Sequence, residues 1–243
     1  MTVFAPFAVV VGFVAGGVAS IAGFGIGSLL TPLLALRLGM QLAVAVVAVP
    51  HFAGTALRWW RLRAHVDRRV FGRFGVASAA GGLLGSIAHG LAPNAALAIV
   101  LGALLVFAGA LGVAGASNRL RFGRRTGWLA GALSGAFGGL VGNQGGIRSA
   151  ALLGFDLPKE AFVATATAIA IVVDVVRLPV YLVSQGQEMM RAWPLLANAT
   201  AGVLAGTVVG ERVLGRIPER TFRVAVSSVI LLLGVALLLG VGR

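Results

Sequence analysis

Gly23-Phe24-Gly25-Ile26-Gly27-Ser28, with Thr31-Pro32 close behind, interrupts an apolar run that carries no charge from Thr2 to Leu36. As a single helix that run would be about 50 Å long at ~1.5 Å per residue, well beyond the ~30 Å hydrocarbon core of a bilayer. The segment therefore has to break, and its glycines are where the backbone can do so. A second cluster, Gly142-Asn143-Gln144-Gly145-Gly146, interrupts the uncharged stretch from Thr126 to Ile147.

An internal repeat relates the two clusters. At an offset of 119 residues, Gly23, Gly27, Leu33, Leu34, Leu38, Val44, Ala45 and Arg58 fall on Gly142, Gly146, Leu152, Leu153, Leu157, Val163, Ala164 and Arg177. Further along, the small-residue stretch 81–86 matches 202–207, and Pro93 and Pro218 each precede the last apolar helix of a half. The chain thus reads as a first transmembrane repeat (1–116), a basic cytoplasmic linker (117–125) and a second transmembrane repeat (126–243). The expected fold class is an all-α polytopic membrane protein with about four helical segments per repeat. In each repeat the first segment is broken or re-entrant, and a long helix, a small-residue helix and a final apolar helix follow.

Composition places the whole chain in a membrane. Hydrophobic residues make up 58% and charged residues 11%, against roughly 25% charged in soluble domains. Uncharged stretches also run from Leu38 to Leu57, Phe74 to Asn118, Ala192 to Gly210 and Val224 to Gly242. The net charge of +13 comes from arginines gathered into short segments between these stretches. That distribution is a topology signal and excludes a nucleic-acid footprint. Cysteine is absent, so no disulfide or thiolate chemistry is available. Three histidines and seven acids leave little material for catalysis, and no metal or cofactor is expected. The first segment lacks a basic n-region and has a counterpart later in the chain, so it is read as a retained helix.

Equivalent loops of the two halves differ in charge. The link after the long helix holds Arg58, Arg61, Arg63, Arg68, Arg69 and Arg73 in the first half, but Ser184-Gln185-Gly186-Gln187-Glu188 in the second. The next pair reverses: 88–95 has no Lys or Arg, whereas its counterpart holds Arg212, Arg216, Arg220 and Arg223. The linker adds Arg119, Arg121, Arg124 and Arg125. Cytoplasmic loops collect Lys and Arg, so the repeats are expected to be inverted. Inversion follows from six spans plus two hairpins, with both termini in the periplasm. Eight simple spans with parallel halves is the competing count. Trp59, Trp60, Trp128 and Trp193 fall at predicted helix ends, where an aromatic belt would place them.

Paired broken segments in inverted repeats point to a transport site at the midplane, because helix breaks expose N–H groups and positive dipole ends. The expected substrate-binding residues are Gly25, Gly27, Ser28, Thr31, Asn143, Gln144, Gly145, Gly146, Arg148, Ser149 and Thr165. Asn143 and Gln144 offer amide hydrogens, Ser28, Thr31 and Ser149 offer hydroxyls, and Arg148 offers a fork that suits oxyanions. The glycines could instead serve only close helix packing, and Arg148 could snorkel to the surface. The hydroxyls of Thr165 and Thr167 either face the pathway or bond the preceding turn. Asp174 and Arg177 share a helix face and form either a coupling or gate pair or a neutralised structural pair. His51 either shuttles protons or is packed and neutral. Arg58 can be read as a helix terminator. Asp156, Lys159 and Glu160 mark a surface turn, and Pro158 starts the helix after it.

The glycine break followed by a Thr-Pro-Leu-Leu stretch resembles the sulfite exporter TauE/SafE family (TSUP) of membrane transporters. The resemblance covers both halves: GFGIGSLLTPLL at 23–34, GNQGGIRSAALLGF at 142–155 and EAFVATATA at 160–168. It implies bacterial inner-membrane transport of sulfur-containing or organic anions, such as sulfite, thiosulfate or sulfonates. Asn143 and Gln144 stand where the family has glycines, and Ala151 where it commonly has proline. The added amides point to a more polar ligand.

Expected partners are a small anionic substrate and membrane lipid; a homodimer is compatible with the sequence. Two rival classes are an intramembrane enzyme and an anion channel. An enzyme would need clustered nucleophile, base or metal ligands, and neither HExxH nor a convincing serine motif occurs; Gly115-Ala116-Ser117-Asn118 falls at a basic loop. No P-loop occurs either, so energy would come from an ion or substrate gradient.

Overall fold

The first helix, α1 (Phe4–Ala22), stops at Gly23, whose φ of 78° lies in the left-handed region that a Cβ disfavours. Helix α6 (Gly127–Val141) stops in the same way at Gly142, with φ of 72°. In each case the glycine N–H closes on the carbonyl four residues back: Gly23 on Ala19 at 3.0 Å and Gly142 on Gly138 at 3.1 Å. The chain restarts as α2 (Ile26–Leu38) and α7 (Gly145–Leu152). Both the stops and the restarts therefore keep the 119-residue register seen in the sequence. This computed structural model describes residues 4–116, 126–214 and 216–240, so the basic linker with Arg119, Arg121, Arg124 and Arg125 lies outside the described residues.

Two long helices follow the breaks, α3 (Met40–Leu62) and α8 (Lys159–Arg191), again in register. Gly39, with φ of 74°, joins α2 to α3. The corresponding joint after α7 is a 3-10 turn, Leu153–Phe155, and then Pro158, which occupies the N-cap of α8 and so stands one residue before its start. Helix α4 (Arg68–Leu91) begins at Asp67, whose carboxylate accepts from the N–H groups of Arg69 and Val70 at 3.0 and 2.9 Å. Helices α5 (Asn94–Val113) and α10 (Glu219–Leu238) each follow a proline, and α9 (Trp193–Leu214) lies between α8 and α10.

Among the described residues every regular element is helical, and six helices are long and apolar enough to cross a membrane: α3, α4, α5, α8, α9 and α10. Helices α1, α2 and α6 are apolar but shorter. Trp60, Trp128 and Trp193 sit exposed near helix ends. Large apolar side chains such as Leu84, Val183 and Leu232 cover the outside, as lipid contact requires.

Helices pair across the two halves. Helix α1 packs along α9 and α6 along α4, while α3 meets α8 and α5 meets α10, so exchanging the halves leaves the set of pairs unchanged. Contacts along α1 and α9 advance together, Val9 with Gly202 and Phe13 with Gly206, so these helices run parallel. Helices α4 and α6 are parallel by the same test, with Ser78 against Gly135 and Gly82 against Gly139. Helices α5 and α10 run oppositely, Gly102 meeting Gly234 and Leu238 while Gly109 meets Leu231.

Small residues make the α4–α6 approach close enough for backbone to touch backbone. A Cβ on Gly85 would collide with the carbonyl of Ala136 on α6, and one on Gly139 with the carbonyl of Gly82 on α4. Gly85→Val is therefore expected to wedge the pair apart at a cost of about 1–3 kcal/mol. The check is a thermal melt in detergent; an unchanged melting temperature would mean that the seam yields freely.

Candidate functional site

The two breaks touch. No room exists for a Cβ on Gly27 against the carbonyl of Gly142, or on Gly145 against Phe24. Between them lies a small cavity lined by Phe24, Gly25, Gly27, Ser28, His51, Gly142, Asn143, Gln144, Gly145 and Arg148. Its volume is about 10 Å³, room for about one water. Seven of the expected substrate-binding residues thus come together: Gly25, Gly27, Ser28, Asn143, Gln144, Gly145 and Arg148.

The starts of α2 and α7 both contribute residues to this cavity. The first N–H groups of a helix have no partner within it, and the helix dipole is positive at that end. Acidic residues are favoured there, yet neither first turn holds one. In their place α7 carries Arg148, whose N–H closes that first turn on the Gln144 carbonyl at 3.1 Å. Arg148 is only 2% exposed, and its Nε and Nη1 have no partner; it does not snorkel. The Gln144 amide is likewise buried, with neither Nε2 nor Oε1 bonded.

Behind the cavity wall, α3 and α8 bring a charged cluster together. His51 Nδ1 lies 2.7 Å from Asp174 Oδ2, and Arg177 Nε donates to Asp174 Oδ1 at 2.9 Å with its Nη2 2.7 Å from the same oxygen. His51 thus links the cavity to the ion pair. Arg177 Nη1 also donates to the Gly138 carbonyl at 2.7 Å, at the end of α6. Arg58 does the same for α1, donating through Nη1 to the carbonyl of Ala19. Cations at helix C-termini are favoured by the dipole. Both the two arginines and the two carbonyls they meet are 119 residues apart, so this arrangement repeats as well.

Arg58 does not terminate its helix, contrary to the expectation from sequence. It is 6% exposed, lies before the end of α3, and its Nε has no partner. The available signal was its repeat partner, Arg177. Gly142 and Phe24 also line the cavity although neither was among the expected substrate ligands.

Other expected residues stand apart. Thr165 is buried on α8, but its hydroxyl accepts the backbone N–H of Asp67 at 2.9 Å, tying the α3–α4 link instead of facing the cavity. Thr167 donates to the Val163 carbonyl of its own preceding turn at 2.7 Å. Thr31 is buried near Gly142 with an unpartnered hydroxyl, Ser149 is half-buried, and Gly146 is exposed; none of the three lines the cavity.

The end of α6 is anchored by further side chains. Tyr181 donates its hydroxyl to the Gly139 carbonyl, and His89 donates through Nδ1 to that of Leu140 at 2.8 Å. Beyond them a larger cavity of about 360 Å³ is lined by Leu38, Gln41, Leu42, Gly90, Asn94, Ser184, Gln185 and Glu188. Helix α8 departs from helical geometry there, at Gln185.

Among the buried groups at this centre, Arg58, Arg148 and Arg177 are opposed by one carboxylate, Asp174. Buried charge of one sign is costly in any protein and more so inside a membrane. The arrangement suits a negatively charged guest. A family model described as Sulfite exporter TauE/SafE matches residues 8–237. No curated protein and no solved structure matches the chain. With nearly its whole length matched and six helices fit to cross a bilayer, this multi-pass inner-membrane protein belongs to the sulfite exporter TauE/SafE family, whose members are membrane transporters and not enzymes.

Proposed function

We propose that the chain is a secondary transporter carrying a small sulfur-containing or organic anion, of the sulfite, thiosulfate or sulfonate type, held between the two breaks. The observation that carries this reading is Arg148: a buried guanidinium with unpaired donors, set in the first turn of α7 where dipole and charge add. An oxyanion there takes charge-assisted hydrogen bonds from Arg148 and from free N–H groups at the starts of α2 and α7.

The chain is built from two inverted repeats, 1–116 and 126–243, each opening with a re-entrant pair, α1–α2 and α6–α7. Four observations support this. The helix pairs are unchanged by exchanging the halves. Helix α1 is parallel to α9 and α6 to α4, which places the starts of the two halves on opposite faces. The end of α2, at Gly39, lies by Asn94 at the start of α5, and Phe155, beyond α7, lies against Gly127 at the start of α6. The exposed Arg61, Arg63, Arg68, Arg69, Arg73, Arg212, Arg216 and Arg220 then share one face, the cytoplasmic one by the positive-inside rule.

On this reading the 360 Å³ cavity is the outer vestibule, and the layer of His89, Tyr181 and Arg177 separates it from the anion. His51, Asp174 and Arg177 form the coupling or gate group, since one charge change at Asp174 alters the hold on both partners. The central cavity is smaller than any such anion, so binding requires the breaks to part. A competition screen in proteoliposomes tests the reading. Saturable, counterflow-competent uptake inhibited by sulfite, thiosulfate or sulfonates is expected; unsaturable conductance or no anion flux would overturn it.

A further inference from the structure

The cavity wall contains acceptors as well as donors. Arg148 and helix-start N–H groups can only donate to a guest. Gln144 differs, because its amide presents one donor and one acceptor whichever way it is turned, and both atoms are buried and unbonded. His51 adds a second acceptor. Its Nδ1 hydrogen bonds the Asp174 carboxylate, so a neutral ring keeps a lone pair on Nε2, and the residue lines the same cavity. A bare anion would leave these acceptors facing oxygen lone pairs. A guest with its own hydrogen would not.

We propose that Gln144 is the specificity-determining residue, and that the site takes a singly protonated oxyanion whose O–H donates to Gln144 Oε1 while its remaining oxygens accept from Gln144 Nε2 and Arg148. The inference rests on the anion site described above and narrows its substrate class to acid anions that retain a hydroxyl. A site that buries an acceptor for a guest hydroxyl rejects the analogue lacking it, because the acceptor is then left unpaired.

Methylphosphonate and methanesulfonate form a matched pair of probes. In weakly acidic buffer the first is a singly protonated monoanion and the second a monoanion with no O–H, and the two are nearly equal in size and shape. Thermal-shift titration of the purified full chain is expected to show methylphosphonate binding at least ~10-fold tighter. In Gln144→Leu the preference should vanish, chiefly through weaker methylphosphonate binding, with a cooperative ligand-free melt as proof of folding. Gln144→Met serves if the leucine variant does not fold. Equal affinity in the native chain, or a preference for methanesulfonate, overturns the proposal. A preference that persists in the variant overturns the assignment to Gln144. Failure of both probes and of sulfite to bind removes the anion site itself, and this inference with it.

Discussion

Arg148→Ala is expected to abolish anion uptake while raising the thermal stability of the empty protein. The guanidinium is buried, two of its nitrogens have no partner, and Arg58 lies within electrostatic range. Removing an uncompensated buried cation relieves repulsion and desolvation in the empty state. Each charge-assisted hydrogen bond lost from the bound state is worth ~1.5–3 kcal/mol, so loss of two should raise KM by about 100-fold or more. Uptake in proteoliposomes and melting in detergent, measured on the same preparation, check both halves of this expectation. Normal uptake would remove Arg148 from the site. Lost uptake with lowered stability would make it a structural residue.

Asp174→Asn should act in the opposite sense on stability. Among the described residues Asp174 is the one buried acid amid three buried arginines, and it holds both His51 and Arg177. Removing one partner of a buried ion pair costs about 3–5 kcal/mol, because the other charge is left uncompensated. The variant should therefore melt well below the native chain. As a coupling group Asp174 should also confer pH dependence on uptake, which the variant loses. The double variant Asp174→Asn/Arg177→Gln removes the stranded charge, so it should regain stability without regaining the pH response. An unchanged pH response in Asp174→Asn would leave Asp174 a purely structural partner of Arg177.

What the sequence carried was whatever repeats or is local. Helix stops at Gly23 and Gly142 were legible because glycine in an overlong apolar run has a local conformational meaning, and the 119-residue register recurs in the helix boundaries. Asp174 and Arg177 were legible as a pair because three residues along a helix puts them on one face. The link from Asp174 to His51 was not, since it spans 123 residues across the α3–α8 contact. Internal comparison hid it too: His51 aligns with Ala170, and Asp174 with Thr55. Arg58 was misread because its place near the end of α3 suggested a terminator, whereas the carbonyl it meets belongs to α1. The place of Thr165 away from the cavity was hidden for a related reason. The N–H that its hydroxyl accepts comes from Asp67, 98 residues earlier.

The anion site depends on two oppositely oriented halves that bring their breaks to one place. Reporter fusions at Arg63, after α3, and at Arg216, in the turn before α10, test that arrangement most directly. Both reporters should lie in the cytoplasm. Finding them on opposite sides of the membrane would contradict the inverted repeat and the anion site built on it.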